Sequence, residues 1–409
     1  MSKYNCDKCG ATFKQKSHYT QHTKRKNPCV KENILKENID KAVTEKLNEI
    51  IDRIEVPPPS ISSAVPSRIL TNEFTPAAPQ SATKFTFIEV CAGGGGLSCG
   101  LVKAGFVPLM LNDNNKDCCE TLKKNHPNTR VICSPMETLN LHEYVGKVDL
   151  FTGGVPCQAF SQAGLRKGLE DPRGQLMLKF IEMLHVLKPK IFMIENVKGL
   201  LTHNSGDTIK EVVALLNREN IYDIEYKLLN AAEHGVPQKR ERVFIIGTRK
   251  DTNIKFQFPE KSEKAIVLKD ILYDVPPSNG AKYNEEKIRL FKMIPQGGCW
   301  VNLPENEQRA YMGQSFFSGG GKRGILYRLS MEKPSLTLLC TPAQKQTERC
   351  HPLEERPLTM REYARIQTFS DNHEFVGGLT SQYKQIGNAV PVELAKKMGV
   401  CLINALKTV

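Results

Sequence analysis

Apolar residues follow two different rhythms along this chain. Between Glu32 and Val56, Leu35, Ile39, Val43, Leu47, Ile50 and Ile54 recur at steps of three and four, the spacing of one helical face. The pattern predicts a helix over 32–56, whose stripe either docks on the body of the protein or pairs with a second copy. Residues 57–84, rich in Pro, Ser, Ala and Thr, cannot build a core and read as an extended linker. Beyond Lys84, short apolar runs alternate with helical patterns, the signature of a mostly parallel α/β sheet. Strands are predicted at 85–91, 107–112, 148–152, 191–194 and 242–247, with helices at 174–187 and 207–216. From about 255 to 345 the rhythm is lost, which suggests a small inserted domain. A final helix at 393–406 is suited to pack back on the α/β body.

Composition adds a direction. The 409 residues are 40% hydrophobic and 25% charged, ordinary for a globular protein and incompatible with a wholly disordered chain. The 57 basic and 44 acidic residues leave a net charge of +13, which favours a polyanionic partner such as nucleic acid. More than half of that surplus, +7, falls in residues 1–31. No apolar run approaches a membrane span, and Met1 to Gly10 is no secretion signal, so the expectation is a soluble, intracellular chain without a membrane partner. Thirteen cysteines in a chain of this size point to metal ligation or catalysis rather than a disulfide framework.

Cys6-x-x-Cys9, followed after twelve residues by His22, has the spacing of a zinc knuckle feeding a helix. Tyr4, Phe13 and Tyr19 supply a miniature core. The predicted zinc set is Cys6, Cys9, His22 and Cys29, with His18 as competitor for the fourth place. Lys14, Lys16, Lys24, Arg25 and Lys26 lie on or beside that helix, so the expected role is to grip phosphate, with protein binding as the alternative.

In the body, the strand 85–91 runs into Ala92-Gly93-Gly94-Gly95-Gly96, a turn that lets backbone approach a nucleotide closely. Asp113, at the end of the second strand, is placed to accept hydrogen bonds from ribose hydroxyls. Cys157 follows the strand 148–152, Glu195-Asn196-Val197 ends the next, and Gln238-x-Arg240-x-Arg242 leads into another. A thiolate, a carboxyl group and two guanidinium groups on one rim suit attack on a pyrimidine. The thiolate adds to carbon 6, an acid at nitrogen 3 absorbs the developing charge, and carbon 5 becomes a nucleophile that can accept a methyl group.

These motifs, with Arg356-Pro-Leu-Thr-Met-Arg-Glu362, Arg365 and Gln385-Ile-Gly-Asn388-Ala-Val390-Pro391, occur in family order. From Phe85 to the end the chain resembles a DNA cytosine-5 methyltransferase of the restriction-modification type. The resemblance implies an α/β, Rossmann-like S-adenosylmethionine-dependent fold with an inserted target-recognition domain, to which the amino-terminal zinc finger is added. It implies domains at 85–254 and 346–409 (catalytic) and 255–345 (recognition), after the finger at 1–31. Cys157 is then the nucleophile, Glu195 holds and protonates nitrogen 3, Arg242 contacts the ring oxygen, and Arg240 positions the nucleophile loop or a phosphate. Ala92, Gly93, Gly95, Gly96, Asp113, Pro156, Asn388 and Val390 would surround S-adenosylmethionine.

The sequence departs from the family at Glu89 (usually Asp), Cys91 (often aromatic), Asn114 and Ser134. Lys322, Arg323 and Arg328 are candidate groove contacts. The expected partner is double-stranded DNA, bound by a monomer, with a flipped-out cytosine as target. A tRNA cytosine methyltransferase and an inactive DNA-binding regulator are the alternatives.

Overall fold

A computed structural model describes residues 4–6, 12–13, 15–23, 84–155, 172–317, 324–345 and 348–409. The chain divides into two units, Met1–Ser81 and Ala82–Val409. In the first, β1 (Tyr4–Asn5) pairs antiparallel with β2 (Thr12–Phe13) and α1 (Lys16–Thr23) follows. Tyr4 and Tyr19 bring their rings to 6.0 Å. The predicted helix 32–56 and nearly all of the linker lie outside the described residues.

The second unit is built on a seven-stranded sheet. Its strands are β3 (Thr86–Val90), β4 (Val107–Asp113), β5 (Arg130–Cys133), β6 (Leu150–Gly153), β7 (Ile191–Val197), β8 (Tyr222–Asn230) and, after the short β9 (Gln238–Lys239), β10 (Glu241–Arg249). Their spatial order is β5-β4-β3-β6-β7-β10-β8. The strands from β5 to β7 run parallel, whereas β10 is antiparallel to both β7 and β8. The chain leaves β3 toward β4 and returns on its other side at β6, so β3 and β6 flank a switch point where open α/β sheets place ligands.

The strands read as near-continuous apolar runs because both faces are covered. Phe87, Leu111, Met193, Phe244 and Ile246 pack on one face with α2 (Gly96–Ala104) and α10 (Val392–Leu406). Ile88, Met110, Phe151, Phe192 and Ile245 pack on the other with α4 (Pro172–Leu187) and α5 (Asp207–Leu216). The carboxyl-terminal helix does pack back on the body, against Leu97 and Leu101 of α2. Between α2 and α4 the only other α-helix among the described residues is α3 (Lys116–Asn125).

Residues 255–345 carry α6 (Glu285–Lys292), α7 (Glu305–Met312) and two-residue strands. Tyr283, Leu290, Phe291, Ile294, Leu303 and Met312 form a small core of their own. Leu268, Leu329 and Leu338 instead join Tyr363 and Ile366 of α8 (Met360–Ile366) and Tyr383 and Ile386 of α9 (Leu379–Asn388).

Three expectations change. The strand predicted at 191–194 runs on to Val197, so Glu195 and Asn196 lie within it. β5 and β8 were not anticipated: β5 is four residues long, and β8 is an edge strand with exposed polar positions. Arg328 is no groove contact, for it is buried and donates to the carbonyls of Phe291 and Pro352 and to Glu355. Lys322 and Arg323 lie outside the described residues.

Candidate active site

At the carboxyl rim of the sheet, beside the switch point, lies a cavity of about 480 Å³. Its floor is the turn between β3 and α2. Ala92 N–H donates to Asn112 O (2.9 Å) and Gly95 N–H to Ala92 O (3.0 Å). Gly95 has φ +83°, a conformation that an L side chain rarely adopts. Gly96 is required by a close approach, because a Cβ there would stand 2.3 Å from Val390 O and 2.9 Å from Ala389 Cβ. The turn is thereby pressed onto the segment that joins α9 to α10.

Asp113 closes one side. Its Oδ2 accepts from Gly93 N–H (2.8 Å) and its Oδ1 from Asn115 N–H (2.8 Å), which fixes the carboxylate at the end of β4. Cys91 stands where the family often has an aromatic residue; φ is +54° and Sγ lies 3.6 Å from Met136 Sδ. Burial pushes the Cys91 thiol up to about 12, so it stays neutral. Asn114, Asn115 and Cys118 also line the cavity, as do Ser381, Lys384, Gln385, Asn388 and Val390. Asn388 Oδ1 accepts from the Cys340 thiol at 3.0 Å. Ser134 is not among the lining residues.

The far end of the cavity holds Glu195, Asn196, Val197 and Arg242. Because β10 runs antiparallel to its neighbours, its first residues meet the carboxyl end of β7, and Arg242 pairs across from Val197. Arg242 Nε lies 2.8 Å from Glu195 Oε1, an ion pair in which no hydrogen bond of good geometry from the described residues reaches that oxygen. Arg242 Nη1 also donates to Glu241 O (2.8 Å). Burial raises the Glu195 pKa, and the attraction of Arg242 and then Arg240 only partly offsets the rise. Asn196 Nδ2 donates to Val155 O (2.9 Å), tying β7 to the chain just before Pro156. Gly154 and Val155 reach the cavity; Pro156 and Cys157 lie outside the described residues.

Arg240 departs from its predicted position. It is wholly buried, and its guanidinium donates to Leu338 O (3.1 Å), Gly387 O (2.9 Å) and Asn388 O (3.3 Å). Burial draws it down to about 9, still charged at neutral pH. So enclosed, it meets no phosphate; it joins the start of β10 to two segments at the rim of the cavity. Gln238 is likewise internal, with its amide bonded to Gln367 and Leu338. The Arg356–Glu362 motif is also structural: two 2.8 Å contacts bind the guanidinium to the carboxylate, which caps α8 through Thr359 N–H.

Glu89 was visible in the sequence only as a departure. It lines the cavity from β3, 1% exposed, with Oε2 lacking a hydrogen-bond partner among the described residues. The cavity suits an adenosine-bearing cation. It offers a backbone turn that Gly96 keeps open, a fixed acceptor in Asp113 and an orphaned carboxyl oxygen.

In the amino-terminal unit, Cys6 is buried and His22 sits on α1 with His18 exposed one turn earlier. Cys9 and Cys29 lie outside the described residues, and no group of three or more potential metal ligands occurs among the described ones.

Residues 85–404 match the profile of the family described as C-5 cytosine-specific DNA methylase. The chain is 45% identical over 338 residues to the type II methyltransferase M.PspPI of Psychrobacter sp. (strain TA137), covering 80% of this chain and 81% of that one. It is 46% identical over 329 residues to M.Sau96I of Staphylococcus aureus, covering 79% and 76%. In fold it is similar to the Entamoeba histolytica methyltransferase EhMeth, with a TM-score of 0.59 at 16% identity over 80% of this chain and 99% of that one.

Proposed function

The chain belongs to the C-5 cytosine-specific DNA methylase family and is a DNA cytosine-5 methyltransferase; from that premise we propose how its residues divide the work. S-adenosylmethionine supplies, when bound, an electrophilic methyl group on a sulfonium. Ala92, Gly93, Gly95, Gly96 and Asp113 hold its nucleoside end, with Asn388, Val390 and Pro156 completing the set.

Cys157 adds through its thiolate to carbon 6 of a cytosine flipped out of duplex DNA. Glu195 gives its proton to nitrogen 3 as the thiolate adds, and Arg242 fixes the ring oxygen. Addition makes the carbon 5–carbon 6 bond single and shifts its electrons into a carbon 4–carbon 5 enamine, nucleophilic at carbon 5, which takes the methyl group. After methylation a solvent base takes the remaining proton from carbon 5, the carbon 5–carbon 6 double bond re-forms as the Cys157 thiolate is expelled, and nitrogen 3 returns its proton to Glu195. Arg240 touches none of these atoms and holds the rim in place. Residues 255–345 read the target sequence, and the host role is self-marking of DNA in a restriction-modification system.

The observation that carries this reading is the Glu195–Arg242 pair, 2.8 Å apart, at the end of a glycine-floored cavity. The finger, with zinc on Cys6, Cys9, His22 and Cys29, grips phosphates without reading bases, a role supported by its ligand spacing and charge. Labelled methyl transfer to unmethylated duplex DNA tests the whole: it is present in the wild type and lost in Cys157→Ala. Transfer to tRNA alone, or none, contradicts it.

A further inference from the structure

The cavity contains a carboxyl group for which the transfer itself has no use. Glu89 lines it from the end of β3, is 1% exposed, and leaves Oε2 without a hydrogen bond among the described residues. A carboxylate so placed is costly, because it is withdrawn from solvent and no cation among the described residues is paired with it. The groups around it make the cost larger. Asp113 of β4 and Glu195 of β7 both act on it as like charges. Of the cavity's two cations, Arg242 of β10 is committed to Glu195 and Lys384 of α9 is exposed. Cys91 and Cys118 stay neutral, with both thiols pushed up to about 12 chiefly by burial. Only the Ser98 hydroxyl and N–H, in the first turn of α2, favour the charged form. They do not outweigh burial, and the Glu89 pKa is raised well above the ordinary carboxyl range.

We propose that Glu89 carries a proton in the cofactor-free protein and releases it when a cationic group of the cofactor docks beside Oε2, so that cofactor binding expels one proton. This rests on the reading that the cavity holds S-adenosylmethionine. The balance is simple: a neutral carboxyl and a cationic ligand become an ion pair, and the proton leaves to solvent. Two groups of the cofactor could fill the role, its sulfonium or its ammonium. The sign follows from linkage. While Glu89 is protonated in the free protein, affinity rises with pH by up to about tenfold per unit, and it levels off above the free-state pKa of Glu89.

The test is isothermal titration of the full-length protein near pH 6.5, below the ordinary α-amino pKa of about 8, in two buffers of unequal ionisation enthalpy. The wild type should release close to one proton on binding S-adenosylmethionine, and Glu89→Gln should release none while binding more weakly. Release with S-adenosylhomocysteine too assigns the role to the ammonium; release with S-adenosylmethionine alone assigns it to the sulfonium. Gln mimics the neutral carboxyl, so the variant should fold, and an unchanged Tm near neutral pH checks this. If wild type and Glu89→Gln release the same number of protons, the proposal is overturned while the cofactor cavity stands. If Asp113→Ala binds the cofactor as tightly as wild type, the cavity reading falls and takes this proposal with it.

Discussion

In the proposed role of Glu195, two environments compete over one proton. Burial favours its neutral acid, while Arg242, 2.8 Å away, favours the carboxylate, and burial prevails. A proton donor in the first chemical step is lost as pH rises through its raised pKa, so kcat should show an alkaline limb set by Glu195. Glu195→Gln removes the donor but keeps the shape. Its kcat should fall by roughly 10²–10⁴-fold, with that limb absent from the residual rate and cofactor affinity nearly unchanged. A Glu195→Gln enzyme retaining both rate and limb would remove the acid role.

Glu195 and Arg242 were legible because strand ends are where such sheets place chemistry. Arg240 was not, since its spacing of two from Arg242 suggests a shared face. The structure breaks the strand at Arg240, between β9 and β10, and the side chain turns inward to three carbonyls. Glu89 was harder still, because its environment comes from three other elements.

At the scale of elements, the sheet places its groups by direction. Five runs of apolar residues could be drawn as a parallel sheet from sequence alone, but only the antiparallel course of β10 brings Arg242 to the carboxyl end of β7. Sequence does not carry that direction, which depends on pairing with β8, an edge strand whose polar, exposed positions hid it. Arg240 connects this antiparallel pair to the rim segments around Leu338 and Gly387. Arg240→Met would leave three buried carbonyls without their donor, at a cost on the order of 3–5 kcal/mol. The expected result is a Tm lowered by several degrees and weaker cofactor binding. A Tm equal to that of wild type would show that the tie carries no stability.

Over the whole molecule the charge of +13 divides between two units, with +7 in the first 31 residues. If these basic residues form the proposed finger, they should raise affinity for DNA without altering the chemistry. Cys6→Ser should weaken DNA binding and reduce its salt dependence, while leaving turnover on saturating DNA nearly intact. Equal affinity and equal salt slope would take the finger out of DNA binding. No helix among the described residues is long and apolar enough to cross a membrane. The fold class was legible because the alternation of buried strands and helices is written in apolar spacing. The recognised bases were not, since the loops of residues 255–345 carry no readable code.

This chain is proposed to methylate carbon 5 of cytosine in a short DNA site through Cys157. Bisulfite sequencing of DNA from cells expressing the protein tests it most directly. Conversion-resistant cytosines should appear in one short motif with the wild type and be absent with Cys157→Ala. Resistant cytosines that persist in Cys157→Ala, or that appear in cellular RNA and not in DNA, would contradict the account.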